Sequence, residues 1–329
     1  MRACHLTVPS PALRPSPRMS AGAPAVVLLL ATACTADAPV RNAAESPAPA
    51  HRVLVIGIDG VRPDVLADVA TPNIDALAAD GTFSDRAQTG RPTVSGPGWS
   101  SLLTGVWPTK HGVTNNDFTG KNYTEYPDLL TRIEQVRPDL ETFAALDWLP
   151  LGADSAGGPV IGDAPDQKFV VDGYALGWAI ADSLVVEAAV HQLRDGNPDA
   201  AFVYLGNPDE VSHETSSIGE AYHSAIALAD HHVGMLLNAI RSRPTAARED
   251  WLILISTDHG RRDDGGHGGD SPEEATIFFL ASGPSAAKGT PARPPAIVDV
   301  AVTALAHLGI AIDTAWHLDG QPVGLRVIR

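Results

Sequence analysis

The chain has 329 residues, 44% hydrophobic and 19% charged, so it carries enough apolar material for a full core and is not a disordered protein. Its 39 acidic residues outnumber 23 basic ones, and a formal charge of −16 makes a nucleic-acid duplex an unsuitable partner. Cys4 and Cys34 are the two cysteines, so the body of the chain has no disulfide, thiolate metal site or cysteine nucleophile.

Residues 1–34 read as a secretion signal: Arg2, Arg14 and Arg18 come first, then an apolar core at 25–30, then small residues before Cys34. The apolar stretch 23–33 is too short to span a bilayer, which takes about 20 residues. Leu30 to Cys34 is similar to a bacterial lipoprotein box, with Ala31 where Leu or Val is usual. Export is therefore expected, with membrane attachment only through a lipid on Cys34. Residues 35–50, rich in Ala and Pro, read as a flexible tether, and the folded domain is expected over 51–329.

Residues 53–58 are apolar without alternation and run into Asp59-Gly60, as in a central parallel strand covered on both faces. A helix follows, with Thr71 as N-cap, Pro72 in its first turn and Gly81 as its stop. Further strands are expected at 142–146, 202–205, 251–256 and 277–280, and helices at 220–240 and 297–308. Asp209 falls in the loop between the 202–205 strand and the 220–240 helix. Strands alternating with helices predict one α/β domain, a three-layer α/β/α sandwich with a mostly parallel central sheet.

Ligands of such sheets bind beyond the carboxyl ends of the strands. Asp59, Asp209, Asp258 and His259 all lie there. His213 follows Asp209 at i, i+4, a spacing that aims two groups at one ion. His267 stands among Gly265, Gly266, Gly268 and Gly269, a poor setting for a packed core histidine. Three Asp and three His without a thiol suit Zn²⁺ and also admit Mn²⁺. Six donors serve two divalent ions, a pair able to clamp both oxygens of a displacement at phosphorus. Of the remaining histidines, His51, His191, His307 and His317 read as surface or boundary residues. His223, His231 and His232 read as the polar side of a helix, and His111 as structural.

Residues 91–105 read as a loop entering a helix, with Pro97 in the first turn and Leu102 and Leu103 facing a core. Ser95 then sits at a helix N-terminus, where free N–H groups and the dipole favour an anion. An adjacent metal would activate its hydroxyl. Thr93, Ser100 and Ser101 compete, and only the register to the helix start favours Ser95. The turn 114–117 offers an asparagine amide, Asn116 or Asn115, to a phosphoryl oxygen.

In chain order these motifs resemble the alkaline phosphatase superfamily, closest to its type I phosphodiesterase and nucleotide pyrophosphatase branch. The resemblance is carried by Ile58-Asp59-Gly60, Thr71-Pro72-Asn73-Ile74-Asp75 and Pro92-Thr93-Val94-Ser95. It continues through Leu103-Thr104-Gly105 to His111-Gly112-Val113, Asn207-Pro208-Asp209 with His213, Thr257-Asp258-His259-Gly260 and Gly266-His267-Gly268. It implies that Asp209, His213 and His267 hold one zinc, and that Asp59, Asp258 and His259 hold the other, with Ser95 bridging to it. It further implies that Ser95 attacks phosphorus to give a phosphoseryl intermediate, that Asn116 contacts the phosphoryl oxygen, and that the substrate is a small phosphate ester.

Departures from the branch mark its specificity. Ser95 stands where Thr is usual, and Gly96 replaces the aromatic residue of a nucleobase slot. A sulfatase would carry Arg at position 99, where this chain has Trp99. The stretch between Phe118 and Phe202 leaves little room for a large specificity cap. A phosphodiesterase is the leading expectation. The alternatives are a phosphomonoesterase, a sulfatase-like hydrolase and a metal-binding protein without turnover. A monoesterase adds a cation at the site, for which Arg91, Lys110, Lys121, Arg261 and Arg262 are the candidates.

Overall fold

Among the described residues, seven strands form a single sheet: β1 (Ala50–Ile58), β2 (Thr82–Gln88), β3 (Thr142–Leu146), β4 (Gln167–Val170), β5 (Ala200–Leu205), β6 (Glu249–Ser256) and β7 (Thr276–Ser282). The computed structural model describes residues 49–155 and 157–326, so the expected secretion signal, Cys34 and nearly all of the tether lie outside the described residues. The order across the sheet is β2-β7-β6-β1-β5-β3-β4. β1 lies between β5 and β6 and is parallel to both, with Ile58 opposite Leu205 and Gly57 opposite Ser256. β7 alone runs against its neighbours, pairing antiparallel with β6 and β2.

The continuous apolar runs are explained by cover on both faces. Val53 and Val55 of β1 join one core with Leu102, Leu103, Ile133 and Leu305, from the helices Ser95–Thr104, Leu129–Val136 and Asp299–His307. Leu54 and Ile56 face the other way, onto Ile74, Val185 and Val233 of the helices Pro72–Asp80, Trp178–Asp195 and Glu220–Arg241. This is the expected three-layer arrangement.

The structure differs from the sequence reading in several places. Asp209 is not in a loop but on a helix, Asn207–Thr215. β2, β4 and the helices Leu129–Val136 and Trp178–Asp195 had no counterpart in the sequence reading. Thr71 occupies the N-cap position without capping, since its hydroxyl donates to Asp75 Oδ1. His232 and His307 are buried rather than on a polar face or boundary. His111 is buried as a structural residue, with Ser101 Oγ 3.0 Å from its Nε2 and the Val113 N–H donated to its Nδ1.

Candidate active site

The ends of the three central strands converge, and their side chains follow. Asp59 leaves β1, Asp258 and His259 leave β6, and the helix after β5 carries Asp209 and His213. The Asp182 carboxylate holds the start of that helix by accepting the Gly206 N–H at 2.9 Å. Gly60 turns the chain after Asp59 with φ +64°, and the Arg261 guanidinium and Asp209 Oδ1 fill the space a side chain would need there.

Two donor clusters result. In the first, His213 Nε2 lies 3.2 Å from Asp209 Oδ2 and 2.8 Å from His267 Nε2. In the second, His259 Nε2 lies 3.3 Å from Asp258 Oδ2, 3.6 Å from Asp59 Oδ1 and 3.3 Å from Ser95 Oγ. Asp209 stands between the clusters, its Oδ1 4.0 Å from His259 Nε2. The ring tautomers follow from their neighbours. A carbonyl only accepts, so His259 Nδ1–H donates to Gly260 O at 2.9 Å and His267 Nδ1–H to Thr93 O at 2.8 Å. Both Nε2 lone pairs are left facing the clusters, the usual setting of metal-ligating histidines.

The donor set fits divalent cations on its own chemistry. Asp59 Oδ1 and Asp258 Oδ2 are buried and have no hydrogen-bond partner among the described residues. Such orphaned carboxylate oxygens are costly unless a cation meets them. Burial, then the charges of Asp258 and Asp209, pushes the Asp59 carboxyl well above the usual carboxylate range. Burial and then Asp209 push Asp258 up to about 7. Burial pushes His259 and His267 down, keeping both imidazoles in the neutral form that binds metals. Burial works against ionised Asp209 too, but the Arg261 guanidinium and the His213 hydrogen bond outweigh it and hold its carboxyl below the ordinary range.

The competing hydroxyls are separated by the structure. The helix begins at Ser95 with Val94 as N-cap, so Ser95 is not itself a cap. Ser95 lines the cavity at this site. Thr93 Oγ1 donates to Gly269 O, Ser100 Oγ bonds Gly96 O and Tyr123 OH, and Ser101 Oγ meets His111. The asparagine alternatives separate as well. Asn116 lines the cavity, and its Oδ1 accepts the Gly96 N–H at 2.6 Å, which leaves its NH₂ group as a donor. Asn115 Oδ1 only closes the turn, accepting from Asp117 N. The helix N-terminus itself offers few donors: Gly96 gives its N–H to Asn116, Pro97 has none, and Gly98 gives its own to Val94 O. A Cβ at Gly96 would stand 2.6 Å from the Asn115 carbonyl oxygen, so the missing aromatic has no room in this chain.

The cavity, of about 220 Å³, is walled by Trp148, Tyr174, Trp178, Tyr204 and Glu210 beside the predicted residues, and by no Lys or Arg among the described residues. Tyr174, 69% exposed, meets Trp178 edge-on at 4.9 Å and donates to Glu210 Oε1 at 2.8 Å. Trp148, Tyr174 and Trp178 all come from the stretch between Phe118 and Phe202, expected to leave little room for a large specificity cap. None of the five candidate cations reaches the cavity. Arg261 is fully buried and paired to Asp209, with Nε and one NH₂ group on the carbonyls of Gly60 and Gly265. Lys110 pairs with Asp319, Arg262 with Glu274 and Arg91 with Asp270, while Lys121 binds backbone carbonyls. Two supporting residues, Trp99 and Tyr204, had no site role in the sequence reading, and Arg261 has a different one from the substrate cation expected of it. Trp99 Nε1–H and Tyr204 O–H both donate to Asp59 Oδ2, at 2.8 and 2.6 Å, and Arg261 holds Asp209.

Comparison with known proteins places this geometry in context. The family model described as type I phosphodiesterase / nucleotide pyrophosphatase matches residues 53–263. Ectonucleotide pyrophosphatase/phosphodiesterase family member 7 of Rattus norvegicus is 31% identical over 252 residues, covering 71% of this chain and 54% of that protein. The chain thus spans about half the length of that relative. Among solved structures, an inactive form of murine ectonucleotide pyrophosphatase / phosphodiesterase 5 in complex with AMP superposes with a TM-score of 0.61 at 14% identity, over 79% of this chain and 96% of that one. A putative sulfatase from Bacteroides thetaiotaomicron gives a TM-score of 0.65 at 16% identity, over 83% and 73%. These structural likenesses show a shared alkaline phosphatase-like fold.

Proposed function

Because the chain belongs to the type I phosphodiesterase / nucleotide pyrophosphatase family, we propose that it is an exported hydrolase of small phosphoric diesters acting through Ser95. Export rests on the leader at residues 1–34. The observation that carries the reading is Ser95 Oγ at the cavity beside His259 Nε2, with Asp59 and Asp258 presenting partnerless oxygens to the same nitrogen. Asp209, His213 and His267 would hold one divalent ion, zinc being the best match, and Asp59, Asp258 and His259 the other. When bound, the two ions supply Lewis-acid charge to the phosphoryl group and lower the pKa of the Ser95 hydroxyl.

The chain's own groups do the rest. Ser95 Oγ gives its proton to solvent and bonds to phosphorus as the bond to one ester oxygen breaks opposite it, and that oxygen leaves as an alcohol after taking a proton from water. The Asn116 NH₂ donates to a non-bridging oxygen whose charge grows in the transition state. Water then attacks the phosphorus of this seryl phosphodiester, and the bond to Oγ breaks, which releases a phosphate monoester carrying the second organic group and returns the Ser95 hydroxyl. Trp99 and Tyr204 fix Asp59, and Arg261 fixes Asp209, so the donors need no rearrangement during the reaction. Tyr174 and Trp178 line the same cavity and offer an aromatic wall to one organic group of the diester.

Charge favours a diester over a monoester. A diester brings one negative charge and a monoester two, and the cavity adds Glu210 but no Lys or Arg. Steady-state hydrolysis by the zinc-loaded chain tests this, with bis-p-nitrophenyl phosphate, p-nitrophenyl phosphate and p-nitrophenyl sulfate in parallel. The diester should dominate, and Ser95→Ala should lower its kcat on the order of 10⁴-fold with zinc still bound. A dominant monoester makes the protein a phosphatase, and an active Ser95→Ala enzyme removes the nucleophile assignment. A p-nitrophenyl ester of AMP asks whether the Tyr174–Trp178 wall accepts a nucleoside.

A further inference from the structure

We propose that His51, Asp250 and His307 form a third divalent-cation site, at the end of the sheet opposite the active site. Their donor atoms, one from each residue, lie within 4.8 Å of one another. His51 and Asp250 are register partners at the amino ends of β1 and β6, whereas Asp59 and Asp258 follow the carboxyl ends of the same strands. Eight residues of strand separate His51 from Asp59, a distance of roughly 26 Å at about 3.3 Å per residue. The two sites therefore share no ligand.

The local chemistry is that of a metal site rather than of a simple ion pair. His51 Nδ1 stands 3.3 Å from Asp250 Oδ2. The His307 ring approaches His51 edge-on, with centroids 5.0 Å apart and planes at 86°. Two backbone carbonyls meet His307 Nε2, those of Arg52 at 3.0 Å and Asp250 at 2.9 Å. Carbonyls only accept, so the proton sits on Nε2 and Nδ1 keeps a bare lone pair. A carbonyl-locked tautomer is what His259 and His267 also show at the active site, and it is the usual support of a ligating histidine. The carboxylate is oriented too: Ser285 donates its N–H to Asp250 Oδ1 and its hydroxyl to Oδ2.

Two imidazoles and one carboxylate suit Zn²⁺, Cu²⁺ or Ni²⁺ rather than Mg²⁺ or Ca²⁺. With His51 41% exposed, solvent reaches the cluster and water completes the coordination. An ion here joins the start of β1 to β6 and to the C-terminal end of the helix Asp299–His307, segments far apart in sequence. Its expected effect is on stability, not on turnover.

The test uses the full chain with its active site saturated. Wild type and His51→Ala are dialysed against micromolar zinc, and bound metal is counted by mass spectrometry. Wild type should retain one zinc more than His51→Ala. Added zinc should raise its Tm by about 5 °C more than that of the variant. Both should hydrolyse bis-p-nitrophenyl phosphate at the same rate. Because the readout is the difference between two chains with identical active sites, it does not depend on how many ions that site takes. His51 is exposed, so its loss leaves the fold intact, and Asp250→Asn gives an independent second variant. Equal zinc content and equal Tm response in wild type and His51→Ala overturn the proposal.

Discussion

Asp59 shows how one residue is prepared for a cation. Its Oδ2 takes two hydrogen bonds, from Trp99 and Tyr204, and its Oδ1 takes none. The carboxylate cannot rotate without breaking both bonds. Trp99 reaches it because Gly57, in β1, leaves room for the indole ring. Trp99→Phe keeps most of the ring and removes the N–H donor. It should weaken zinc binding about 10- to 100-fold in a chelator competition, with a fold indistinguishable from wild type. Unchanged affinity would mean that Tyr204 alone orients Asp59. Asp and His at strand ends could be recognised from residue type and position. Trp99 and Tyr204 could not, because aromatics in apolar runs look like core. The available signal was that a buried indole N–H or phenol O–H needs a partner. Arg261 was read as a cation for substrate because nothing local shows that its partner, Asp209, comes from another strand end.

Helices reveal a similar limit of local reading. The start of the helix Pro72–Asp80 is capped not by Thr71 but by Asp230, from the middle of the helix Glu220–Arg241. Asp230 Oδ1 accepts the N–H groups of Ile74 at 2.8 Å and Asn73 at 3.1 Å, and its Oδ2 takes the Asn73 amide at 2.9 Å. Asp230→Ala removes every one of these and leaves buried donors unpaired, so it should cost about 2–3 kcal/mol in urea unfolding. A loss below about 0.5 kcal/mol would mean that water or Thr71 takes over the cap. The same tertiary dependence hid other elements. The helix Asn207–Thr215 is mostly polar and is held from outside by Asp182, so its sequence reads as a loop. β4 is a half-exposed edge strand without alternation. The helix Trp178–Asp195 is different. Ala181, Val185, Val186, Ala189 and Leu193 repeat at helical spacing and are all buried, so its pattern was present in the sequence.

At the scale of the whole molecule, the buried acids set how folding and cation binding depend on pH. The unfolded chain ionises Asp258 near the ordinary value of 3.8, while the folded, cation-free chain holds its proton up to about pH 7. Between these values the folded state binds more protons than the unfolded one, so this group's contribution to stability falls as pH rises. Asp59 acts in the same direction, through burial first and then the charges of Asp258 and Asp209. A bound divalent ion reverses the sign, because it needs the carboxylates ionised and competes with their protons. Chelator-treated wild type should therefore lose stability from pH 5 to pH 8 more steeply than Asp258→Asn, which has no proton to release there. The zinc-loaded wild type should gain stability over the same range. The formal charge of −16 adds a repulsion common to both chains, so the comparison isolates the site. Urea unfolding at half-unit pH intervals reads all three slopes. Parallel slopes for chelator-treated wild type and Asp258→Asn would show that Asp258 is already ionised without a cation, and that its partnerless Oδ2 is met by water instead.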